Sequence, residues 1–230
     1  PSISLIFTAS RHGKMSKVHE HIELAQALMG EDDAGFPSFQ GFDLAGDEKA
    51  GSPADMRQAF MAMMEKCMHF TIHAGEIDSV DRIWEAVYHL NAERVGHGLT
   101  LLDNPRLMER FRDRKIAVEM CPSSNFQIVG FRDNYLPETV GLKTYPLKHY
   151  LEAGLRVTVN TDNPGISRTD FTRELHRAAR LTPNGLSLWE ILLLVRNSFR
   201  AAFVGSDMRH DLLRRAESEI IERIQEGLPL

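Results

Sequence analysis

Several features are scarce or missing in this sequence, and each shortage excludes a class of protein. The 230 residues include two cysteines, Cys67 and Cys121, too few for a disulfide framework and in keeping with a reducing compartment. The apolar run at residues 191–195 is far shorter than the roughly 20 residues that span a bilayer. No basic stretch followed by an apolar one marks a secretory signal. We therefore expect a cytoplasmic protein without a membrane partner.

Basic residues are fewer than acidic ones, and a glycine-rich dinucleotide-binding loop is missing. Lysine and arginine together number 27 against 32 aspartates and glutamates, which gives a formal net charge of -5. Because nucleic-acid-binding surfaces are usually basic, this balance argues against a nucleic-acid partner. No glycine-rich dinucleotide fingerprint follows any predicted strand, so a Rossmann fold lacks its main sequence support. Cys121-Pro122 has no second cysteine nearby, which excludes the zinc deaminases of the cytidine type.

What the chain does have is a regular alternation of predicted strands and helices. With 43% hydrophobic residues, residues 1–230 suit one globular domain with a sizeable core. Apolar runs predict strands, separated by helices, at residues 3–9, 39–44, 69–72, 93–96, 116–120 and 156–160. A polar loop is predicted over 121–145, and the last strand is followed only by helices, at about 171–181, 187–203 and 211–226. Such alternation implies a parallel sheet covered by helices, either open and doubly wound or part of an eight-unit barrel.

Histidine and carboxylate side chains follow three of these strands at the point where each strand ends. His73 and Glu76 come after the third strand, His97 after the fourth and Asp162 after the sixth. The carboxyl ends of parallel strands meet on one rim, where α/β folds carry their chemistry, so these side chains should converge. Imidazole and carboxylate ligands suit zinc. Beside a metal, Glu76 could serve as a general acid or base; its alternative role is to stabilise a helix N-terminus.

Two other histidines lie close together in sequence without predicting a metal site. His19 and His21 are two residues apart in a stretch whose apolar spacing is helical. Residues two apart point to different faces of a helix, so one ion cannot bind both. We predict that both are surface or partly buried histidines.

Five sequence motifs, in one order along residues 3–203, resemble those of the adenosine deaminases in the amidohydrolase superfamily. They are Gly-Phe-Asp-Leu-Ala-Gly-Asp-Glu (41–48), His-Ala-Gly-Glu (73–76), Arg-Val-Gly-His-Gly (94–98), Cys-Pro-Ser-Ser-Asn (121–125) and Asn-Thr-Asp-Asn-Pro (160–164). The resemblance implies a TIM barrel with one zinc ion that deaminates adenosine or deoxyadenosine to the inosine product and releases ammonia. The partner it implies is therefore a small purine nucleoside.

The resemblance also implies roles for the residues at the strand ends. His73 and Asp162 would be zinc ligands, and Asp162 would in addition hold the zinc-bound water. His97 would orient that water and help to deprotonate it. Glu76 would protonate the purine ring nitrogen N1.

Two further residues would contact the substrate, and one of them departs from the family. The backbone of Gly46 would contact the purine. Asn163 stands where the family usually has a second aspartate, the residue that hydrogen-bonds purine N7. The family also begins with a strand carrying His-x-His, which supplies two more zinc ligands. No predicted strand of this sequence carries that motif.

The absent His-x-His strand leads us to expect a fragment, with strands three to eight of the barrel followed by extra C-terminal helices. We expect such a fragment to be inactive by itself, with zinc absent or held incompletely. Two alternatives stay open for the whole protein. One is an aminohydrolase that acts on adenine or another purine, and the other is a relative that binds a purine without turning it over.

Overall fold

The structure, a computed structural model, describes residues 5–12, 15–28 and 39–227. Its strands are β1 (Ile6–Ser10), β2 (Gly41–Ala45), β3 (His69–Ala74), β4 (Arg94–His97), β5 (Ala117–Met120) and β6 (Arg156–Val159). Its helices are α1 (Met15–Leu28), α2 (Pro53–Glu65), α3 (Val80–His89), α4 (Pro105–Arg114), α5 (Pro122–Ile128), α6 (Leu147–Glu152), α7 (Pro164–Ser167), α8 (Phe171–Leu181), α9 (Leu188–Ala201) and α10 (Ser206–Gln225). The predicted α/β alternation is confirmed; residues 3 and 4 of the first predicted strand lie outside the described residues.

The strands form a parallel sheet whose order follows the chain. The register pairs Ser10 of β1 with Ala45 of β2, and Ala74 of β3 with His97 of β4. Because neighbouring strands run in the same direction, the carboxyl ends of β1 to β4 lie side by side. The polar residues that follow these strands are thereby brought to one edge.

Local sequence signals explain where several helices begin. Ser52 and Asp55 form a capping box at the start of α2, and Pro53 occupies the first turn, where a missing N–H costs nothing. The bounds of α8 coincide with the helix predicted at residues 171–181. None of the described helices combines the length and the apolar character needed to cross a membrane.

Two predictions about the second half of the chain were wrong. Residues 121–145 were predicted as a polar loop, yet Pro122–Ile128 form α5, with proline in the first turn. A buried carboxylate from α8, that of Glu174, accepts the backbone N–H of Ser123 at 2.9 Å and stabilises the start of this helix. The last helix begins at Ser206, with Gly205 as its N-cap residue, rather than at about 211.

The chain divides into two compact units, of which the first is Pro1–Val118. Phenylalanine rings fill its core between the sheet and α2. Phe42 stacks on Phe7 with ring centroids 5.7 Å apart and meets the edge of Phe60 at 5.2 Å, and Phe60 lies 5.8 Å from Phe70. These apolar contacts hold α2 against β2 and β3, the strands whose ends carry Gly46, His73 and Glu76.

The second unit is Glu119–Leu230. Helix α9 covers β6, and the buried Asn197 donates a hydrogen bond from Nδ2 to the carbonyl oxygen of Val157 at 3.0 Å. The buried carboxylate of Asp133 accepts hydrogen bonds from Arg177 at 3.2 Å and from Arg180 at 3.0 Å. A buried charge needs such partners, so these ion pairs tie the segment before α6 to α8.

Candidate active site

Strands β2 and β3 bring a buried carboxylate against a histidine. Asp43 pairs with Thr71 across the ladder, and His73 lies two residues farther on, on the same face of β3. Oδ1 of Asp43 is 3.0 Å from Nδ1 of His73, and the Thr8 hydroxyl donates to Oδ2 at 3.4 Å. A carboxylate bound to one ring nitrogen of a histidine fixes the tautomer and leaves the other nitrogen, here Nε2, for a metal or a substrate.

His97, the last residue of β4, lies against both His73 and Glu76. In the ladder it pairs with Ala74, so strict alternation would turn His97 away from the face that carries His73. The backbone of His97 is instead left-handed, with φ +64. Its ring centroid lies 5.1 Å from that of His73, and its Nδ1 is 3.4 Å from Oε1 of Glu76.

Burial keeps the imidazole of His97 neutral. Desolvation is the main cause that lowers the pKa of His97 to about 3, and electrostatic interactions with His73 and Arg11 lower it further. A protonated His97 would form an ion pair with Glu76, but only 3% of the residue is exposed, and desolvation outweighs that attraction. At neutral pH, His97 is therefore an uncharged imidazole.

Two glycines leave space that the site side chains use. A Cβ atom on Gly96 would lie 3.3 Å from Cγ and Nδ1 of His73, closer than most contacts of this kind. Gly46, with φ +107, follows β2, and a Cβ atom there would lie 3.0 Å from the ring of His12. Glycine also adopts this positive φ without strain. Glycine at position 46 thus makes room for the ring of His12.

Two buried charges, Arg11 and Glu48, contact the backbone that carries His73 and Glu76. The Glu48 carboxylate accepts the successive backbone N–H groups of residues 76–78, at 3.3, 2.9 and 2.9 Å. Arg11 donates from Nη2 to the carbonyl oxygen of His73 at 2.7 Å and lies 4.0 Å from Oε1 of Glu48. Together they contact both ends of the segment at residues 73–78.

The predicted residues Asp162 and Asn163 belong to the second unit and follow β6. Asp162 is exposed and has a left-handed backbone, with φ +53. Asn163 caps α7, because its Oδ1 accepts the backbone N–H of Ile166 at 3.1 Å. With that oxygen committed to the helix, the side-chain NH₂ of Asn163 is the group that can donate to a ligand.

The Cys-Pro-Ser-Ser-Asn motif forms the junction between β5 and α5. Asn125 is fully buried, and its Oδ1 accepts the backbone N–H of Cys121 at 3.2 Å and the hydroxyl of Tyr145 at 2.9 Å. These two bonds fix the turn between strand and helix. The motif therefore has a structural function within the second unit.

The structure brings three of the predicted residues, His73, Glu76 and His97, together at the ends of β3 and β4. Their catalytic and metal-binding roles stay predictions, as do those of Gly46, Asp162 and Asn163. The interpretation of the two early histidines is confirmed. His19 is exposed on α1, and half-buried His21 accepts the backbone N–H of Ser10 at 3.0 Å.

Sequence analysis assigned no role to Asp43, Arg11 or Glu48. Asp43 lies inside the motif at residues 41–48, and its signal was a charged residue within an apolar strand. Arg11 and Glu48 left no comparable signal, because charged residues in polar loops are normally solvated. Only the packed structure shows that both are buried, with 1% and 3% exposed.

Comparison with known proteins places these features in a family. The family model described as adenosine deaminase matches residues 2–219. An adenine deaminase from Rhizobium leguminosarum bv. trifolii is 34% identical over 211 residues, covering 92% of this chain and 61% of the relative. An adenosine deaminase from Pectobacterium atrosepticum is 35% identical over 170 residues, covering 74% of this chain and 48% of the relative.

Solved structures show the same fold. An adenine deaminase from Arthrobacter aurescens matches with a TM-score of 0.78 at 21% identity, over 94% of this chain and 61% of that one. An amidohydrolase from Burkholderia ambifaria, solved with bound Zn, matches with a TM-score of 0.81 at 19% identity, over 97% and 58%. These matches confirm the barrel-type α/β fold, and the chain spans between 48% and 61% of the length of these relatives. Because the family model matches residues 2–219 of the 230, we conclude that this chain belongs to the adenosine deaminase family.

Proposed function

We propose that the protein containing this chain is a zinc-dependent hydrolase that removes the C6 amino group of adenosine or deoxyadenosine. Water attacks C6, a carbon–oxygen bond forms and the carbon–nitrogen bond breaks, so the products are inosine or deoxyinosine and ammonia. The proposal is carried by the meeting of His73, His97 and Glu76 beside the buried Asp43, in a chain of this family.

The zinc ligands that we propose within this chain are His73 and Asp162. The pairing of Asp43 with Nδ1 of His73 is the arrangement usual for metal-binding histidines, so His73 fits the role. Asp162 supplies an oxygen ligand of the kind that zinc accepts, and its assignment rests on the family motif. When bound, zinc lowers the pKa of water toward neutrality and so supplies a nucleophile at physiological pH.

We propose that two residues of this chain, His97 and Glu76, take part in proton transfer. His97, whose ring lies 5.1 Å from that of His73, is proposed to orient the attacking water and to help to deprotonate it. Glu76 is proposed to give a proton to N1 of the purine, which makes the adjacent C6 more electrophilic. The carboxyl of Glu76 would lie beside His97, as it does at 3.4 Å in the structure.

Substrate recognition is assigned to Gly46 and Asn163. The backbone of Gly46 is proposed to contact the purine, and the side-chain NH₂ of Asn163 is proposed to donate to N7. A neutral amide donates directly to an unprotonated ring nitrogen, whereas a carboxylate facing N7 would need a shared proton.

Adenine is the second candidate substrate, because the relative that covers 92% of this chain at 34% identity is named an adenine deaminase. The Asn-Thr-Asp-Asn-Pro sequence at residues 160–164 favours the nucleoside. A relative that only binds purines is a third reading, and the presence of His73, Glu76 and His97 in contact argues against it.

Ammonia release from adenosine, deoxyadenosine and adenine distinguishes these readings. The assay uses the full protein with zinc, and we expect the highest catalytic efficiency on the two nucleosides. Faster release from adenine would replace the nucleoside with the second candidate. Purine binding without any ammonia release would overturn the proposal that the protein is an enzyme.

A further inference from the structure

We propose that Glu48, together with Arg11, positions the catalytic carboxyl of Glu76 by holding the backbone of residues 76–78. The inference rests on the function proposed above, in which Glu76 donates a proton to the purine. Neither Glu48 nor Arg11 needs to touch the substrate for this role. Each acts through the backbone on which His73 and Glu76 lie.

The described contacts of the Glu48 side chain are all with residues 76–78 and with Arg11. Its Oε1 accepts the backbone N–H of Glu76, and its Oε2 accepts those of Ile77 and Asp78 at 2.9 Å each. Three successive amides that point at one carboxylate define the path of the backbone. The segment therefore cannot shift without breaking charge-assisted hydrogen bonds.

Arg11 contacts the other end of the same segment. It follows β1, and its backbone N–H donates to the carbonyl oxygen of Ala45 at 2.9 Å, which continues the pairing with β2. From this fixed point its Nη2 reaches the carbonyl oxygen of His73 at 2.7 Å. Between the two contacts lies Gly75, with φ +72, where a Cβ atom would collide with Ile83 at 2.4 Å.

Stability alone does not explain this arrangement. Buried ion pairs are often no better for stability than apolar side chains of the same volume. Burial lowers the pKa of Arg11 even though the carboxylates of Glu48 and Asp43 lie nearby. Among the described residues, Nε and Nη1 of Arg11 have no hydrogen-bond partner. A costly pair of charges directed at the backbone of two proposed catalytic-site residues indicates a positioning role.

These contacts determine the position of Glu76, the proposed proton donor. The Cα of Glu76 is set by the contacts of Glu48 and Arg11, and its side chain extends to within 3.4 Å of His97. A displacement of about 1 Å at a reacting group can reduce turnover by about 10²-fold. Loss of the Glu48 contacts should therefore reduce kcat, whereas substrate affinity, which depends on other groups, should change little.

The test replaces Glu48 with glutamine in the full protein with zinc. A glutamine side chain offers one acceptor oxygen and one NH₂ group, so it cannot accept all three backbone N–H groups. We expect kcat for adenosine to fall by about 10 to 10²-fold, with KM changed less than about threefold. Hydrogen exchange at the amides of residues 76–78, measured without substrate, should become faster.

The matched control is Asp47→Asn. Asp47 lies in the same loop and loses the same charge, but it is exposed, and its Oδ1 accepts the backbone N–H of Lys49 rather than that of residues 76–78. We expect wild-type kcat and wild-type exchange in this variant. Glu76→Gln, which should be nearly inactive, serves as the reference for a lost proton donor.

Each outcome decides the inference. An E48Q protein with unchanged kcat, or with reduced kcat and unchanged exchange at 76–78, would overturn it. If E48Q does not fold, Glu48→Asp decides instead: it keeps the charge beside Arg11 but withdraws the carboxylate by one methylene, and a wild-type kcat there would overturn the role. If the wild type releases no ammonia, the proposed function fails, and exchange alone then decides whether Glu48 holds this backbone.

Discussion

At the scale of single residues, the candidate site depends on carboxylates that orient other groups. Asp43 is the clearest case, because it holds Nδ1 of His73 and leaves Nε2 for a metal. Replacing Asp43 with asparagine should weaken zinc binding by about 10- to 100-fold, the usual effect of losing such a partner. A competition titration with a zinc-binding dye measures this. Thr8→Val, which removes only the 3.4 Å bond to Asp43, should have a smaller effect, and wild-type zinc affinity in D43N would refute the assignment.

Glu76 is the residue on which the proposed chemistry depends most. Glutamine has nearly the same size as glutamate but no acidic proton, so the Glu76→Gln side chain cannot protonate N1 of the purine. Turnover of adenosine should fall by roughly 10² to 10⁴-fold, the range for general acid–base catalysis, while zinc content stays at the wild-type level. Steady-state kinetics and metal analysis of the same preparation provide the two values. Near wild-type turnover would show that another group protonates N1.

Asn163 is better tested through the substrate than by mutation, because its Oδ1 also caps α7. In 7-deazaadenosine a carbon replaces N7, so the NH₂ group of Asn163 loses its acceptor. Asn163 is exposed in the structure, and a donor that a bound purine covers without offering an acceptor costs about 1–3 kcal/mol. Catalytic efficiency on 7-deazaadenosine should be lower than on adenosine by the corresponding factor. Equal efficiency on the two nucleosides would mean that Asn163 does not contact N7.

At the scale of elements, the sequence predicted helices well where apolar spacing and caps agree, and poorly where packing decides. The bounds of α8 were predicted correctly because Asp170 caps it and its apolar residues recur at helical spacing. Helix α5 was missed because its buried residues include Ser123, Ser124 and Asn125. Polar residues of this kind favour loops by themselves, and the carboxylate of Glu174, distant in sequence, stabilises the start of the helix in the packed structure.

Helix α9 carries a pH-dependent contact at its start. Glu190 forms a capping box with Ser187 and an ion pair with Lys148 of α6. The bond from Lys148, followed by the backbone bond from Ser187, lowers the pKa of Glu190 from 4.5 to about 2. A carboxylate whose pKa falls on folding stabilises the native state above its unfolded pKa, and that contribution disappears as the pH falls toward the folded value.

We therefore expect the melting temperature of wild type to exceed that of Glu190→Gln near neutral pH, and the difference to shrink by about pH 3. Thermal unfolding followed by circular dichroism over this pH range measures it. The control is Glu109→Gln on α4, whose exposed pair with Arg112 should contribute little at any pH. A difference that stays constant from neutral to acid pH would show that the charge of Glu190 does not stabilise α9.

At the scale of the whole molecule, the order of strands and helices was predictable because hydrophobic periodicity follows directly from burial. His73, Glu76 and His97 follow predicted parallel strands, and the carboxyl ends of such strands meet at one edge. The sequence therefore also predicted that these three residues are neighbours. The register between strands could not be predicted, and it is the register that sets Asp43 diagonally beside His73 and Gly96 directly beside it. The roles of Arg11 and Glu48 were hidden because burial of a loop residue depends on contacts distant in sequence.

The left-handed backbones of His97 and Asp162 matter for anyone who redesigns this protein. Most residues with a side chain are strained by about 1–2 kcal/mol in that conformation, and glycine is not. A design procedure that chooses amino acids by conformational preference would place glycine or asparagine at both positions. It would thereby remove an imidazole and a carboxylate that we assign to the reaction. These two identities should be held constant in any library, since local energetics and chemistry demand different residues there.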